Sequence, residues 1–179
     1  MRLTSTAARQ VILSLTPPST PRLRMEPTGS RRALLDGAWW PRSTDPVAEL
    51  PGLILAIDTL RGPVSRLILA AEGWDSHPRR LGVSGRVLRL GYFGSQPVSL
   101  LTAICANNER VDLLVVPPHT AGHIAEAAMI MAATTDNLTR PEHILLAAST
   151  PTPRPVDGVA ADGSATEGPA GAAAEARRS

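Results

Sequence analysis

Four apolar, strand-like segments lie between Val64 and Val116, and they constrain the fold more than any other feature. The segments are residues 64–71, 85–93, 98–105 and 111–116. Residues 85–93 alternate polar and apolar positions, which is typical of a half-buried strand. The unbroken run Leu113–Val116 suits a strand covered on both faces. Because the connections are short, we predict that these segments form an antiparallel meander.

A helix is predicted immediately before these strands. Asp45 is a suitable N-cap, and Pro46 fits the first helical position, where no backbone N–H is needed. Apolar residues then recur at helical spacing, so one face should pack on a sheet. Pro51-Gly52 predicts a kink or a short turn near the start. Gly62-Pro63 predicts the end.

The remaining elements define the fold class. Arg22–Glu26 predicts an opening strand, Thr120 can cap a later helix, and Arg140–Glu142 can start a last short one. This order lacks a repeated strand-helix-strand alternation. We therefore predict an α+β fold with a mainly antiparallel sheet of about five strands, packed against two helices.

The ends of the chain differ in composition from its middle. Residues 150–179 are dominated by Ala, Gly, Pro, Thr and Ser, which cannot bury enough apolar surface to offset chain entropy. We predict a disordered tail at 150–179, a single domain at 21–149 and a disordered leader at 1–20. The apolar group 11–15 is too short for a membrane span.

Charge and cysteine content exclude several classes of protein. All 18 basic residues are Arg, yet 16 acids leave a net charge of only +2. This balance does not predict a polyanion-binding surface. The single Cys105 excludes an intramolecular disulfide and a multi-cysteine metal site, and its apolar setting predicts a buried thiol. We expect a cytoplasmic protein that does not contact a membrane.

The segment Leu35–Ser43 is the strongest candidate for recognition. It holds two of only three tryptophans in the chain. Indole and guanidinium groups are effective recognition groups, and a second loop, Trp74–Arg80, could join this segment around a pocket. The predicted ligand-binding residues are Asp36, Trp39, Trp40, Arg42, Trp74 and Arg79. The alternative is structural: adjacent residues of an extended chain face opposite ways, so at most one of the paired indoles is fully inside.

Other candidates for chemistry are weaker. His119 and His123 are four residues apart, but two ligands do not make a metal site. No glycine-rich phosphate loop, paired-carboxylate signature or serine elbow is present. We therefore assign no catalytic residue, metal or cofactor. We do not expect nucleic acid as a partner. Arg86 and Arg89 share one predicted strand face and Tyr92-Phe93 follow them, but the neighbouring strand supplies no aromatic residue.

Several segments together resemble an uncharacterised actinobacterial family of unknown function, and the resemblance covers about residues 22–133. The segments are Leu35–Ser43, Glu49–Pro51, Pro78–Arg80, Arg89–Phe93 and Asp112–Pro118. The motif Leu-Asp-Gly-Ala-Trp-Trp-Pro-Arg-Ser is the most specific of them. The resemblance implies that these segments belong to one module, and it implies no activity.

Three hypotheses for function follow. The first is a non-enzymatic binding or regulatory domain, whose partner is a small ligand or a protein segment held at the tryptophan and arginine residues. The second is an interaction adaptor that uses flexible ends. The third is a hydrolase-type enzyme with His119 or His123 as the base. The sequence leaves the oligomeric state open.

Overall fold

The computed structural model of the protein describes residues 10–151. The strands in this range are β1 (Ile12–Leu13), β2 (Leu23–Met25), β3 (Gly37–Trp39), β4 (Val64–Ala70), β5 (Arg80–Val83), β6 (Arg86–Phe93), β7 (Leu100–Cys105) and β8 (Arg110–Val115). The helices are α1 (Pro46–Arg61), α2 (Gly122–Ala132) and α3 (Pro141–Ser149). All eight strands belong to one sheet, in the order β1-β5-β6-β4-β7-β8-β3-β2.

The sheet is mixed, so the predicted antiparallel sheet of about five strands against two helices is wrong. Three strand pairs are parallel: β1 with β5, β4 with β6, and β3 with β8. The strand β4 lies between β6 and β7, which follow it in the chain. Apolar patterning identified the longer strands correctly, but it carries no information on which strands become neighbours.

A two-residue hairpin accounts for one of the missed strands. Ser84 and Gly85 both have positive φ angles, 49° and 77°, and they join β5 to β6 in antiparallel register from Val83 and Arg86. Positive φ at both central residues is the geometry of a type I′ turn, whose twist matches that of the strands. The Ser-Gly pair was the available signal for this hairpin.

The helix α1 begins and ends where the sequence predicts. The Asp45 carboxylate accepts from the Val47 N–H at 2.9 Å, and Gly62 ends the helix with φ of 97°. The short turn predicted as one outcome at Pro51-Gly52 is absent, because the helix is continuous through both residues. Gly52 instead lies against the backbone of Ser19, where a Cβ would overlap the Ser19 carbonyl oxygen.

Apolar side chains form one core on each face of the sheet. The larger core packs α1 on alternate residues of β3 through β8 and includes the buried Cys105 thiol, as predicted. The smaller core packs α2 and α3 on the opposite face, at the end of the sheet formed by β8, β3 and β2. The two helices thus leave the opposite face of β4 and β6 uncovered.

The predicted ends of the chain are only partly within the described residues. Residues 1–9 of the predicted leader and 152–179 of the predicted tail lie outside them. Leader residues Ile12 and Leu13 form β1, which pairs with β5. Among residues 10–151, no helix has the length and apolar character needed to cross a lipid bilayer.

Candidate functional site

The two adjacent tryptophans lie on opposite faces of the sheet. Strand β3 alternates its side chains, so Trp39 enters the α1 core while Ala38 packs in the core of α2 and α3. Trp39 is 1% exposed, whereas Trp40 is half-buried. The prediction that at most one of the paired indoles is fully inside is therefore confirmed.

Trp39 meets the third tryptophan of the chain. The rings of Trp39 and Trp74 are stacked, with centroids 6.1 Å apart and planes inclined by 18°. Two hydrogen bonds hold the loops together: the Thr44 hydroxyl donates to the Asp75 carboxylate at 2.8 Å, and the Asp75 N–H donates to the Thr44 carbonyl at 3.0 Å. The two loops that the sequence analysis singled out are thus neighbours.

A cavity of about 690 Å³ lies beside Trp74. We call it the Trp74 pocket. Its lining residues are Pro41, Ser43, Thr44, Glu72, Gly73, Trp74, Val98, Ser99, Val115, Pro117, Pro118, His119, Glu142, Leu145 and Leu146. The volume falls within the range of about 300–1,000 Å³ that is typical of small-molecule sites. The wall is mostly apolar, and its charged members are the two glutamates.

One buried carboxylate holds the loop after β3, which forms one wall of the Trp74 pocket. Glu49, in the first turn of α1, accepts from the Arg42 N–H at 3.1 Å and from the Ser43 hydroxyl at 2.9 Å. Both donors belong to the loop after β3, which contributes Pro41, Ser43 and Thr44 to the lining. Because Glu49 is 8% exposed, its removal would leave these donors without a partner.

Trp40 faces a different part of the molecule. The Arg22 guanidinium lies 3.5 Å from the centre of the Trp40 ring, a cation–π arrangement. Arg22 also donates to the carbonyls of Trp40 and Pro41, at 2.9 and 2.8 Å. The Trp40 indole N–H donates to the Pro118 carbonyl at 3.3 Å. Trp40 therefore connects β2, β3 and the turn before α2.

The predicted charged residues do not line the Trp74 pocket. The Asp36 carboxylate accepts from the Asp112 N–H at 2.8 Å, joining the start of β3 to β8. Burial raises the pKa of Asp36 above its usual value, against the opposing effect of that hydrogen bond. Arg42 is exposed and donates to the Thr20 carbonyl at 2.9 Å. Arg79 is exposed, before β5.

The structure thus brings together only part of the predicted site. Trp39 and Trp74 are in contact, and Trp74 alone of the predicted residues lines the pocket. The residues that sequence reasoning missed include Val98, Val115, Leu145 and Leu146. They come from β8, from α3 and from the turn before β7, and their apolar character does not distinguish them from core residues.

The two candidate histidines lie in the turn before α2 and at the start of that helix. His119 is exposed and lines the Trp74 pocket, and His123 is exposed at the start of α2. Among residues 10–151, no group of three or more His, Cys, Asp and Glu side chains is arranged to hold a metal ion. The hydrolase hypothesis for these histidines stays a prediction.

Comparison with known proteins gives a family and no function. A model described as "Family of unknown function (DUF5994)" matches residues 22–132. This range holds all eight strands except β1, together with α1 and α2. No curated protein matches the chain, and no solved structure matches it. The chain therefore belongs to the family DUF5994, a family of unknown function.

Proposed function

We propose that the protein is a non-enzymatic binding domain, which holds a small and largely apolar molecule in the Trp74 pocket. The observation that carries the proposal is the cavity of about 690 Å³ with a mostly apolar wall. Ligand sites are typically concave and apolar, with few polar groups that orient the ligand. Here those groups are the Ser99 hydroxyl and the exposed polar side chains on the rim. The hydroxyls of Ser43 and Thr44 already donate within the protein.

The charged groups of the lining favour a neutral or cationic ligand. Glu72 and Glu142 are both exposed carboxylates, and no arginine lines the pocket. An anionic head group would meet like charge there. A cationic head group would pair with the carboxylates, and a face of the Trp74 indole can attract a cation directly. Arg42 and Arg79, which were predicted to bind the ligand, do not line the pocket.

Trp74 would serve as a flat wall that is held in place before the ligand arrives. Its ring is half-buried and rests on Trp39, which the core encloses almost completely. A rigid aromatic surface loses little conformational entropy on binding, which favours affinity. The hydrogen bonds between Thr44 and Asp75 limit the motion of the Trp74 loop relative to the loop after β3.

The experiment uses three competitors with the same alkyl chain. Nile red, a neutral apolar dye, is titrated with the protein and then displaced by decanol, decylamine or decanoate. We expect saturable dye binding, and we expect decanol and decylamine to displace the dye at lower concentrations than decanoate does. A protein that fails to bind the dye would contradict the proposal. Strongest displacement by decanoate would contradict the assignment of ligand charge.

A further inference from the structure

A second surface of the molecule is basic, in contrast to the apolar Trp74 pocket. It lies on the face of the sheet opposite α1, over strands that α2 and α3 do not cover. We define the open face by its residues: Arg66 and Ile68 on β4, Arg80 on β5, and Arg89, Gly91 and Phe93 on β6. Their neighbours Leu67, Leu81, Leu88 and Leu90 all lie in the α1 core, so alternation places the open-face residues on the other side.

Strand register aligns three arginines in one row. Arg80 is directly opposite Arg89 across β5 and β6, and Arg89 is directly opposite Arg66 across β6 and β4. Adjacent strands are about 4.8 Å apart, so the row spans about 10 Å. Arg66 and Arg89 are exposed, and Arg80 is half-buried. The open face therefore concentrates three positive charges across the sheet.

These three arginines lack anionic partners within residues 10–151. The ion pairs in that range use Arg61, Arg86 and Arg110. Like charges directly opposite each other on neighbouring strands destabilise a sheet. A row of three therefore works against folding, and an anionic partner bound over the row would offset that cost. Charge complementarity thus specifies a polyanion as the occupant of this face.

An exposed aromatic ring lies on the same face. Phe93 is 50% exposed, and its ring covers Gly91: a Cβ at Gly91 would come within 2.8 Å of the ring's Cε2 atom. The ring therefore lies along the strand over Gly91, and half of its surface is exposed to solvent. Ile68 is directly opposite Gly91 on β4 and extends the apolar surface beneath it.

We infer that the open face binds single-stranded nucleic acid, with Arg66, Arg80 and Arg89 on phosphates and Phe93 stacked on a base. Basic grooves combined with aromatic platforms are the recurring means of holding single strands. A peptide rich in carboxylates would use the arginines but would gain little from the exposed ring. The ring is thus what favours a nucleic acid over an acidic peptide.

Arg86 does not share a strand face with Arg89, contrary to the prediction. It lies on the α1 side of the sheet and pairs with the Asp58 carboxylate. Arg66 and Arg80 replace it beside Arg89. Their separation in the chain hides this alignment, because β6 pairs with β4 in parallel and with β5 in antiparallel orientation.

The test compares two double variants with the same change of charge. Arg66→Gln with Arg89→Gln removes two charges from the open face, and Arg31→Gln with Arg32→Gln removes two from an exposed loop elsewhere. Binding of fluorescein-labelled oligothymidylate and oligouridylate by the full chain is measured by anisotropy across a salt series. Circular dichroism melting establishes that each variant is folded.

We expect the open-face pair to lose affinity by at least tenfold and to reduce the slope of log K against log salt by about 1.4. The loop pair should leave both nearly unchanged. Phe93→Ala should weaken binding by about tenfold without changing the salt slope. The inference would be overturned by equal losses of affinity in both double variants or by no binding at low salt. It would also be overturned if the protein bound a duplex of the same length, or polyglutamate, as tightly as the single strand.

Discussion

Trp39 and Trp74 form a stack in which the buried Trp39 ring supports the half-buried Trp74 ring, with centroids 6.1 Å apart. The arrangement divides two tasks between residues of the same type. Trp39 completes the α1 core at 1% exposure, while Trp74 presents its free surface to the Trp74 pocket. Substitutions at the two positions should therefore differ in their effect on stability.

Trp39→Ala should lower the free energy of unfolding by about 3–5 kcal/mol, because it leaves a large cavity in the core. Trp74→Ala should lower it by only about 1–2 kcal/mol, since part of that ring is already in contact with solvent. Urea denaturation of both variants measures these losses. Equal losses, or the larger loss at Trp74, would contradict the division of tasks.

Glu49 links stability to the shape of the pocket. Glu49→Ala should cost about 1–3 kcal/mol, because the Arg42 N–H and the Ser43 hydroxyl lose their acceptor. It should also weaken Nile red binding, since the released loop forms one wall. Glu49→Gln retains an acceptor and should recover part of both losses. Unchanged dye affinity in a folded Glu49→Ala protein would show that this loop does not shape the site.

Glu26 should make stability depend on pH in the acid range. Hydrogen bonds lower the pKa of Glu26 from 4.5 to about 2, although burial acts in the opposite direction. The main donor is the Thr28 hydroxyl, and the others are the Thr28 and Ser30 N–H groups and the Thr135 hydroxyl. A carboxylate with a lowered pKa in the folded state stabilises the protein above its unfolded pKa. That stabilisation is lost as pH falls through the folded pKa.

The melting temperature should therefore fall between about pH 4.5 and pH 2, and Glu26→Gln should make this fall shallower. Glu126→Gln, which changes an exposed carboxylate on α2, provides the control and should keep the slope of the unsubstituted protein. If Glu26→Gln and Glu126→Gln gave the same slope, the hydrogen bonds at Glu26 would not be the source of the acid sensitivity.

Tyr92 carries a buried hydroxyl without a partner among the described residues. Burial also raises the pKa of Tyr92 to about 12. An unpaired buried hydroxyl costs about 1–3 kcal/mol. Tyr92→Phe removes this group and keeps the ring, which contacts His77 edge to face at a centroid distance of 4.7 Å. We expect a melting temperature equal to or above that of the unsubstituted protein, and a clear decrease would reveal a hydrogen bond at this hydroxyl.

The sequence allows the longer elements to be predicted because each has its own local signal. Asp45-Pro46 and Gly62 mark the ends of α1, and apolar patterning marks β4, β6, β7 and β8. The strands β1 and β3 have only two or three residues, which is too short for a periodic pattern to be recognised. The order of the strands in the sheet depends on how the chain crosses between them, and a local sequence pattern does not encode these crossings.

The candidate site was predictable only where composition was unusual. The scarce tryptophans drew attention to Trp74 and to its neighbour Trp39, which do meet. The rest of the pocket comes from ordinary apolar residues, such as Val98 and Leu146, that are far apart in the chain. The arginine row of the open face was hidden for a related reason: its three members lie on three strands.

The most direct test of the proposed binding function compares two exposed leucines near the C-terminal ends of their helices. Leu146 on α3 is 67% exposed and lines the Trp74 pocket, while Leu60 on α1 is 57% exposed and lies outside it. Each is changed to Glu, and Nile red binding is titrated. We predict that Leu146→Glu weakens binding by about tenfold or more and that Leu60→Glu binds as the unsubstituted protein does. Equal affinity in the two folded variants would contradict the assignment of the pocket as the binding site.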